Sequence, residues 1–274
     1  MACDHNCSSC KAASCGKNQS LLVTTNENNH IKKIIAVMSG KGGVGKSMVT
    51  TTLAVSLAKQ GYKVGILDSD ITGPSIPKAF GLAPGVTGTS DNLMFPPITK
   101  KYGIKVMSIN VLIDDQNQPV VWRGPVLGSA IKQFYQDVLW EELDYLLIDM
   151  PPGTGDVALS VFQMLPVDGV VIVSTPQDLV KMIVGKAVSM CNQMNMKIIG
   201  LVENMAYYTC PCCGNPLYPF GTSKLDDVCE TFDLKPLQSL PINPELTTLI
   251  DNGKAEEMNV DYASKLTQEV IDFE

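Results

Sequence analysis

"MSGKGGVGKSMVTTTLA" (Met38–Ala54) decides how the chain is read. Gly40 to Ser47 fits G-x-x-x-x-G-K-[ST], the pattern of a loop that wraps a polyphosphate. It follows a short apolar run, "IIAVMS" (34–39), and opens a helix-length stretch, 46–60, which is the context the motif needs. Gly40, Gly42, Gly43 and Gly45 let the backbone turn tightly and aim N–H groups at phosphate oxygens. The N-terminus of the helix adds partial positive charge. Lys46 is then expected to contact the β- and γ-phosphates and the Ser47 hydroxyl to ligate Mg²⁺, with Val44 and Met48 completing the loop. One residue is not asked for by the pattern: a second lysine, Lys41.

Outward from the loop, apolar runs recur: "KVGILD" (63–68), "KVMSINV" (105–111), "YLLIDM" (145–150), "GVVIVST" (169–175) and "KIIGLVEN" (197–204). They are rich in Val and Ile and apolar on both faces, as buried parallel strands are. Helical stretches separate them, at 46–60, 124–139, 177–194, 222–232 and 261–272. The last places Tyr262, Leu266, Val270 and Phe273 on one stripe, a docking face for the core. Together they predict an α/β fold: a single doubly wound, mostly parallel sheet flanked by helices. Stretches 80–97 and 205–221 read as loops. Residues 1–30 read as a polar, Cys-rich, flexible tail with a candidate metal or cluster site, and 31–274 as one ATPase domain with no internal repeat.

Two loops after strand ends offer carboxylates, where doubly wound sheets place their ligands. "ILDSDITGPS" carries Asp68 and Asp70; "LLIDMPPGTGD" carries Asp149 in a Walker-B-like position. Asp149 is expected to hold Mg²⁺, through water, and Asp70 to orient the attacking water. Helix capping is the plainer role for either alone. Gly153 and Gly155 suit a switch that senses the γ-phosphate.

The charge balance is −7, with 45% hydrophobic residues and 18% charged. That argues against a nucleic-acid phosphate backbone as partner. No apolar run reaches membrane-spanning length, and "MACDHNCSSC" lacks the features of a secretory signal, so a cytoplasmic protein is expected, with no membrane partner. In a reducing compartment, nine cysteines in clusters suggest metal or iron–sulfur ligation more than disulfides.

Cys210 and Cys213 fit C-P-x-C, with Cys212 between them. Two thiolates are half of a tetrahedral S₄ set, and no second C-x-x-C lies nearby. A two-fold contact between identical chains supplies the other half, so that one bridging [4Fe–4S] cluster, or a zinc ion in its place, sits in a homodimer.

"GKGGVGKS" resembles the deviant Walker A motif of the MinD/ParA/nitrogenase iron-protein class. The resemblance implies that Lys41 crosses a dimer interface to the partner's phosphates, while Lys46 serves its own nucleotide. Over residues 31–258 the chain resembles the Mrp-type (ApbC-like) ATP-dependent iron–sulfur cluster carriers. "DSDITGPS", "WRGP", "DMPPGTGD", "VENM", "CPCCG" and "LPINPEL" follow in that family's order. This implies ATP, Mg²⁺ and a [4Fe–4S] cluster as ligands, slow hydrolysis, and apo iron–sulfur proteins and cluster scaffold proteins as partners. It assigns Cys210 and Cys213 to the cluster and Asn204 to adenine; Arg123, in "VWRGP", receives no role. The departures are Thr72, at a position usually aromatic, and the absence of a glycine run after Gly221.

The N-terminal set Cys3, Cys7, Cys10 and Cys15 reads as a second [4Fe–4S] site, a zinc site or a metal-scavenging tail. His5 is a candidate to replace one thiol, with simple solvation the plainer role for a tail histidine. Cys3, Cys7 and Cys10 share the radical-SAM spacing, but no strand precedes them. The alternative function is a MinD/ParA-like positioning ATPase with a structural zinc site. That class asks for a basic C-terminal helix or a basic surface, and this chain ends "LTQEVIDFE". A nitrogenase-type electron donor would need cysteines in 73–100 or 124–160, which have none, and no N-K-x-D motif points to GTP.

Overall fold

A computed structural model describes residues 21–274 apart from 71–72, 74, 90–91, 113–123 and 178. Cys3, Cys7, Cys10, Cys15, His5, Thr72 and Arg123 lie outside the described residues. The chain begins with β1 (His30–Met38), α1 (Lys46–Lys59) and β2 (Val64–Asp68). It continues through α2 (Ile76–Ala79), the hairpin β3 (Thr87–Gly88) and β4 (Met94–Phe95), and β5 (Lys105–Met107). Then come α3 (Gly124–Gln136), β6 (Glu142–Asp149), α4 (Asp156–Met164), β7 (Gly169–Ser174), α5 (Val180–Gln193) and β8 (Ile198–Thr209). The last elements are β9 (Pro216–Leu217), α6 (Leu225–Phe232), β10 (Pro236–Ile242), α7 (Pro244–Asp251) and α8 (Ser264–Ile271).

Seven strands pair in parallel in the order β10–β8–β7–β1–β6–β2–β5, and β9 adds an antiparallel edge to the end of β8. Every residue of β2 and β7 is buried, as the apolar runs require of strands covered on both faces. The period-two alternation divides them between two cores. Ile34, Ala36 and Met38 pack under α3, α4, α5 and α6. Ile35 and Val37 pack under α1, α2, α7 and α8. Helix α1 is buried nearly all round because α8 closes over its outer side. Its threonines are accommodated by hydrogen bonding: Thr52 Oγ1 lies 3.0 Å from the Tyr262 hydroxyl, and Thr267 Oγ1 donates to Ser56 Oγ at 2.8 Å. Leu266 and Val270 of the predicted stripe are fully buried.

Central β1 has β6 on one side and β7 on the other. Excursions to opposite sides of one strand open a crevice at the C-terminal strand ends, and the phosphate loop occupies it. Residues 105–111 form a strand only to Met107 and then a 3₁₀ turn at Ile109–Val111. The loop-like 80–97 contains the β3–β4 hairpin, and β8 runs on through Thr209 into the stretch 205–221. Edge strand β10, with Pro236 and Pro241, carries no apolar run to mark it.

Within the segment 1–30, residues 21–30 are described, and they are tied to the domain. Val23 N donates to Met164 O at 2.8 Å, Thr25 Oγ1 to Tyr135 O at 3.0 Å and Asn26 Nδ2 to Gln136 O at 2.8 Å. Among the described residues no helix is long and apolar enough to cross a membrane.

Candidate functional site

Gly43 and Gly45 hold the phosphate loop in shape with φ of +78° and +77°, in the left-handed region that a side chain resists. Space matters as well as torsion. A Cβ on Gly45 would sit 2.3 Å from Asn204 Nδ2, and one on Gly40 would sit 2.3 Å from Ile183 O of α5. The loop is therefore clasped between β8 and α5. Asn204 Nδ2 donates to Val44 O at 2.9 Å, so Asn204 supports the loop's backbone. The Val44 side chain is buried in the α1-side core, so this residue offers the cleft only its main chain.

A cavity of about 230 Å³ opens over the loop, lined among others by Gly43, Gly45, Lys46, Ser47, Met48 and Asp70. Besides Asp70 in its lining, two buried carboxylates, Asp149 and Asp68, lie close by. Lys46 Nζ is 2.8 Å from Asp149 Oδ1 and 3.9 Å from Asp70 Oδ2. Asp149 is fully buried, and it accepts hydrogen bonds from Ser47 Oγ at 2.6 Å and Thr50 Oγ1 at 2.7 Å. Its strand end is pinned by Ser69, whose N–H and hydroxyl both donate to Asp149 O. Asp68 lies beside it in register and accepts from Ser108 Oγ at 3.1 Å and from Asp70 N at 3.2 Å. Burial, reinforced by the Asp149 charge, pushes the Asp68 carboxyl up to about 8, so it stays largely protonated at neutral pH.

A metal–polyphosphate fits these donors. Ser47 and Asp149 present two hard oxygens side by side, the ligand chemistry of Mg²⁺. Lys46 supplies the cation, and space is open beside the backbone at Gly43. The structure thus gathers Lys46, Ser47, Asp70 and Asp149 around one cleft. Lys41 stands apart: its Nζ hydrogen-bonds Gln177 Oε1, beyond the end of β7. Gln177, Thr50, Ser69 and Ser108 were not singled out in the sequence. The positions of Thr50, one turn after Lys46, and of Gln177, at a strand end beside β1, are the signals that mark them.

The cysteines occupy a different environment. Strand β8 ends at Thr209, the chain turns through Cys210–Gly214, and β9 returns antiparallel to Tyr208 and Thr209. Cys210 N donates to Asn215 O and Gly214 N to Cys210 O, both at 2.9 Å, which closes a tight knuckle. Cys212 and Cys213 are exposed, and Cys210 is half-exposed. The N–H groups of Cys212 and then Cys213, with help from the Cys213 thiol, hold the Cys210 thiol below its ordinary range. A thiol so placed favours the thiolate, the form that binds metals. Among the described residues no three His, Cys, Asp or Glu side chains are placed to hold one metal ion. Buried Cys191 and Cys229 are the opposite case, with thiols pushed up by burial to about 12 and about 11.

A family model of the ParA group, described as NUBPL iron-transfer P-loop NTPase, matches residues 30–272. An iron–sulfur cluster carrier protein of Clostridium perfringens is 48% identical over 258 residues, 92% of this chain and 90% of that one. A nucleotide-binding protein from Archaeoglobus fulgidus, solved in complex with ADP and with cobalt, superposes with a TM-score of 0.75. It is 46% identical, over 85% of this chain and 90% of that one. The septum site-determining protein MinD of Pyrococcus horikoshii, solved with Mg-ADP, shares the fold: TM-score 0.60 and 21% identity over 88% and 96%.

Proposed function

Because the chain belongs to the ParA-type family of NUBPL iron-transfer P-loop NTPases, we propose that it is an ATP-dependent carrier of iron–sulfur clusters. In this reading it binds Mg·ATP in the loop cleft, hydrolyses it slowly, and holds a [4Fe–4S] cluster as cargo for apo iron–sulfur proteins. The observation that carries it is the placement of both sites on β8. Asn204 supports the phosphate loop, and six residues later Cys210 opens the knuckle.

The cargo site is completed by a second copy. Cys210 and Cys213 provide two thiolates, and a cluster takes four. Lys41, the knuckle and the exposed Leu179, Met182, Leu217, Tyr218 and Phe220 lie on neighbouring segments; a Cβ on Gly221 would stand 3.7 Å from Pro176 O. Exposed apolar side chains gathered beside half a metal site suit a surface that another chain covers. In such a homodimer Lys41 leaves Gln177 for the partner's phosphates, as a finger acting in trans.

For hydrolysis, Lys46 and the loop N–H groups fix the phosphates, and Asp70 orients water for in-line attack. Mg²⁺, when bound, neutralises phosphate charge. Preorganised donors in a partly closed cleft supply most of the rate.

Anaerobic loading with iron and sulfide, followed by transfer to an apo [4Fe–4S] enzyme, tests the proposal. Recovery of that enzyme's activity, lost in Cys210→Ala and Cys213→Ala, is the expected result. Equal cluster loading by those variants would overturn it.

A further inference from the structure

Between its two functional ends, β8 is not a regular strand. Ser239 of β10 pairs with Glu203 and Pro241 with Tyr207, so Asn204, Met205 and Ala206 stand opposite Leu240 alone. That is a bulge of two extra residues. At its centre Met205 has φ +56°, the left-handed region, although it is not glycine. An outlier of this kind persists only where its surroundings hold it, and outliers of this kind gather at sites that move or bind.

The surroundings are the two sites described above. Asn204 Nδ2 donates to Val44 O, and the Met205 methyl, Cε, lies 3.2 Å from where a Cβ of Gly45 would stand. The bulge therefore abuts the loop at Gly45. On the far side, Tyr208 and Thr209 carry β9 and the knuckle. The return of that segment is anchored separately. Glu203, buried on the opposite face, accepts from Lys224 N at 2.8 Å and from Ser239 Oγ at 3.4 Å. The knuckle thus hangs from a fixed post at Glu203 and an irregular joint at 204–206, and the loop meets the joint at Asn204 and Met205.

We infer that Met205 is a positioning residue: its side chain transmits the conformation of the phosphate loop at Gly45 through the β8 bulge to the Cys210–Cys213 knuckle. This rests on the nucleotide reading of the cleft made above. It adds the route by which occupancy of one site alters the other, since coupling needs an element that both sites bias.

The test uses the full chain under anaerobic conditions, with and without Mg²⁺ and a non-hydrolysable ATP analogue. The alkylation rate of Cys210 is followed by peptide mass spectrometry, and analogue affinity is measured in parallel. In the parent the analogue is expected to change the Cys210 rate by about threefold or more, a coupling in the range usual for linked sites. Met205→Gly accepts the left-handed backbone but lacks the side chain. It should bind the analogue nearly as the parent does, with a Cys210 rate that no longer responds. Met205→Asn, also tolerant of this conformation, should behave likewise, while Met205→Gln, which keeps the reach, should retain the response. A Met205→Gly protein that keeps the parent's response overturns the inference. So does a parent that binds the analogue with no change at Cys210. A parent that fails to bind the analogue overturns the nucleotide reading, and this inference with it.

Discussion

The phosphate loop and the cysteine knuckle sit on one strand and are built in opposite ways. The loop is closed on itself. Lys46 and the carboxylates Asp149 and Asp68 are buried; Ser47, Thr50 and Ser108 satisfy those carboxylates from the same chain, and Ser69 pins the main-chain carbonyl of Asp149. The knuckle is open: its thiols face outward, and its order comes from backbone hydrogen bonds. On the proposed reading, a site that must bind the same small anion in every state gains from carrying its binding groups in one subunit, with Lys41 added from the partner for hydrolysis. A site that must give up its cargo gains from being half a site, because separating the halves removes two ligands at once.

Changes at one region should therefore abolish that region's own binding while altering the other only by the few-fold that coupling through Met205 allows. The largest effect is expected for Cys210→Ala or Cys213→Ala. Nearly all cluster iron should be lost, while ATP affinity moves by less than about threefold, under 1 kcal/mol. Iron and sulfide assays beside a nucleotide titration check this; a large loss of ATP affinity would erase the separation. Next comes Lys46→Ala, which strands the Asp149 carboxylate. Removing one partner of a buried pair costs about 3–5 kcal/mol. Chemical denaturation should register a loss of that order, and ATP binding should vanish.

Gly45→Ala forces a Cβ into the left-handed region and onto Asn204. The torsion alone costs about 1–2 kcal/mol. Weakened ATP binding with cluster loading retained is the expected calorimetric and spectroscopic result.

Asp68 sets a pH dependence. Its folded-state carboxyl is raised to about 8, well above an unfolded aspartate, so the folded chain binds the extra proton between these values. Stability should fall as pH rises from about 4 to about 8, and Asp68→Asn should flatten that decline in denaturant titrations. The smallest effect is expected for Cys212→Ser, which keeps the N–H that faces the Cys210 sulfur. Cluster content should stay within about twofold of the parent, since a second-sphere N–H matters more here than the third thiol.

Much of this was legible before any coordinates. Val/Ile runs apolar on both faces announced buried parallel strands, and the loop octet fixed where β1 ends and α1 begins. What the sequence left hidden has physical reasons. Edge strand β10 needs no double-sided apolar run and contains two prolines, so its text reads as a loop. The extension of β8 past Asn204 was hidden by the bulge, where the chain's alternation breaks. Lys46, Ser47 and Asp149 converge because motif spacing encodes their geometry. The Lys41–Gln177 contact joins positions far apart in sequence, and no local pattern records it.

The central claim is that one chain suffices to bind nucleotide, with the partner adding only Lys41 for hydrolysis, whereas the cluster site is divided between two. Native mass spectrometry of the anaerobically loaded protein tests it most directly. The account predicts one [4Fe–4S] cluster per two chains, with ATP retained by single chains that carry no cluster. A single chain that holds an intact [4Fe–4S] cluster would contradict it.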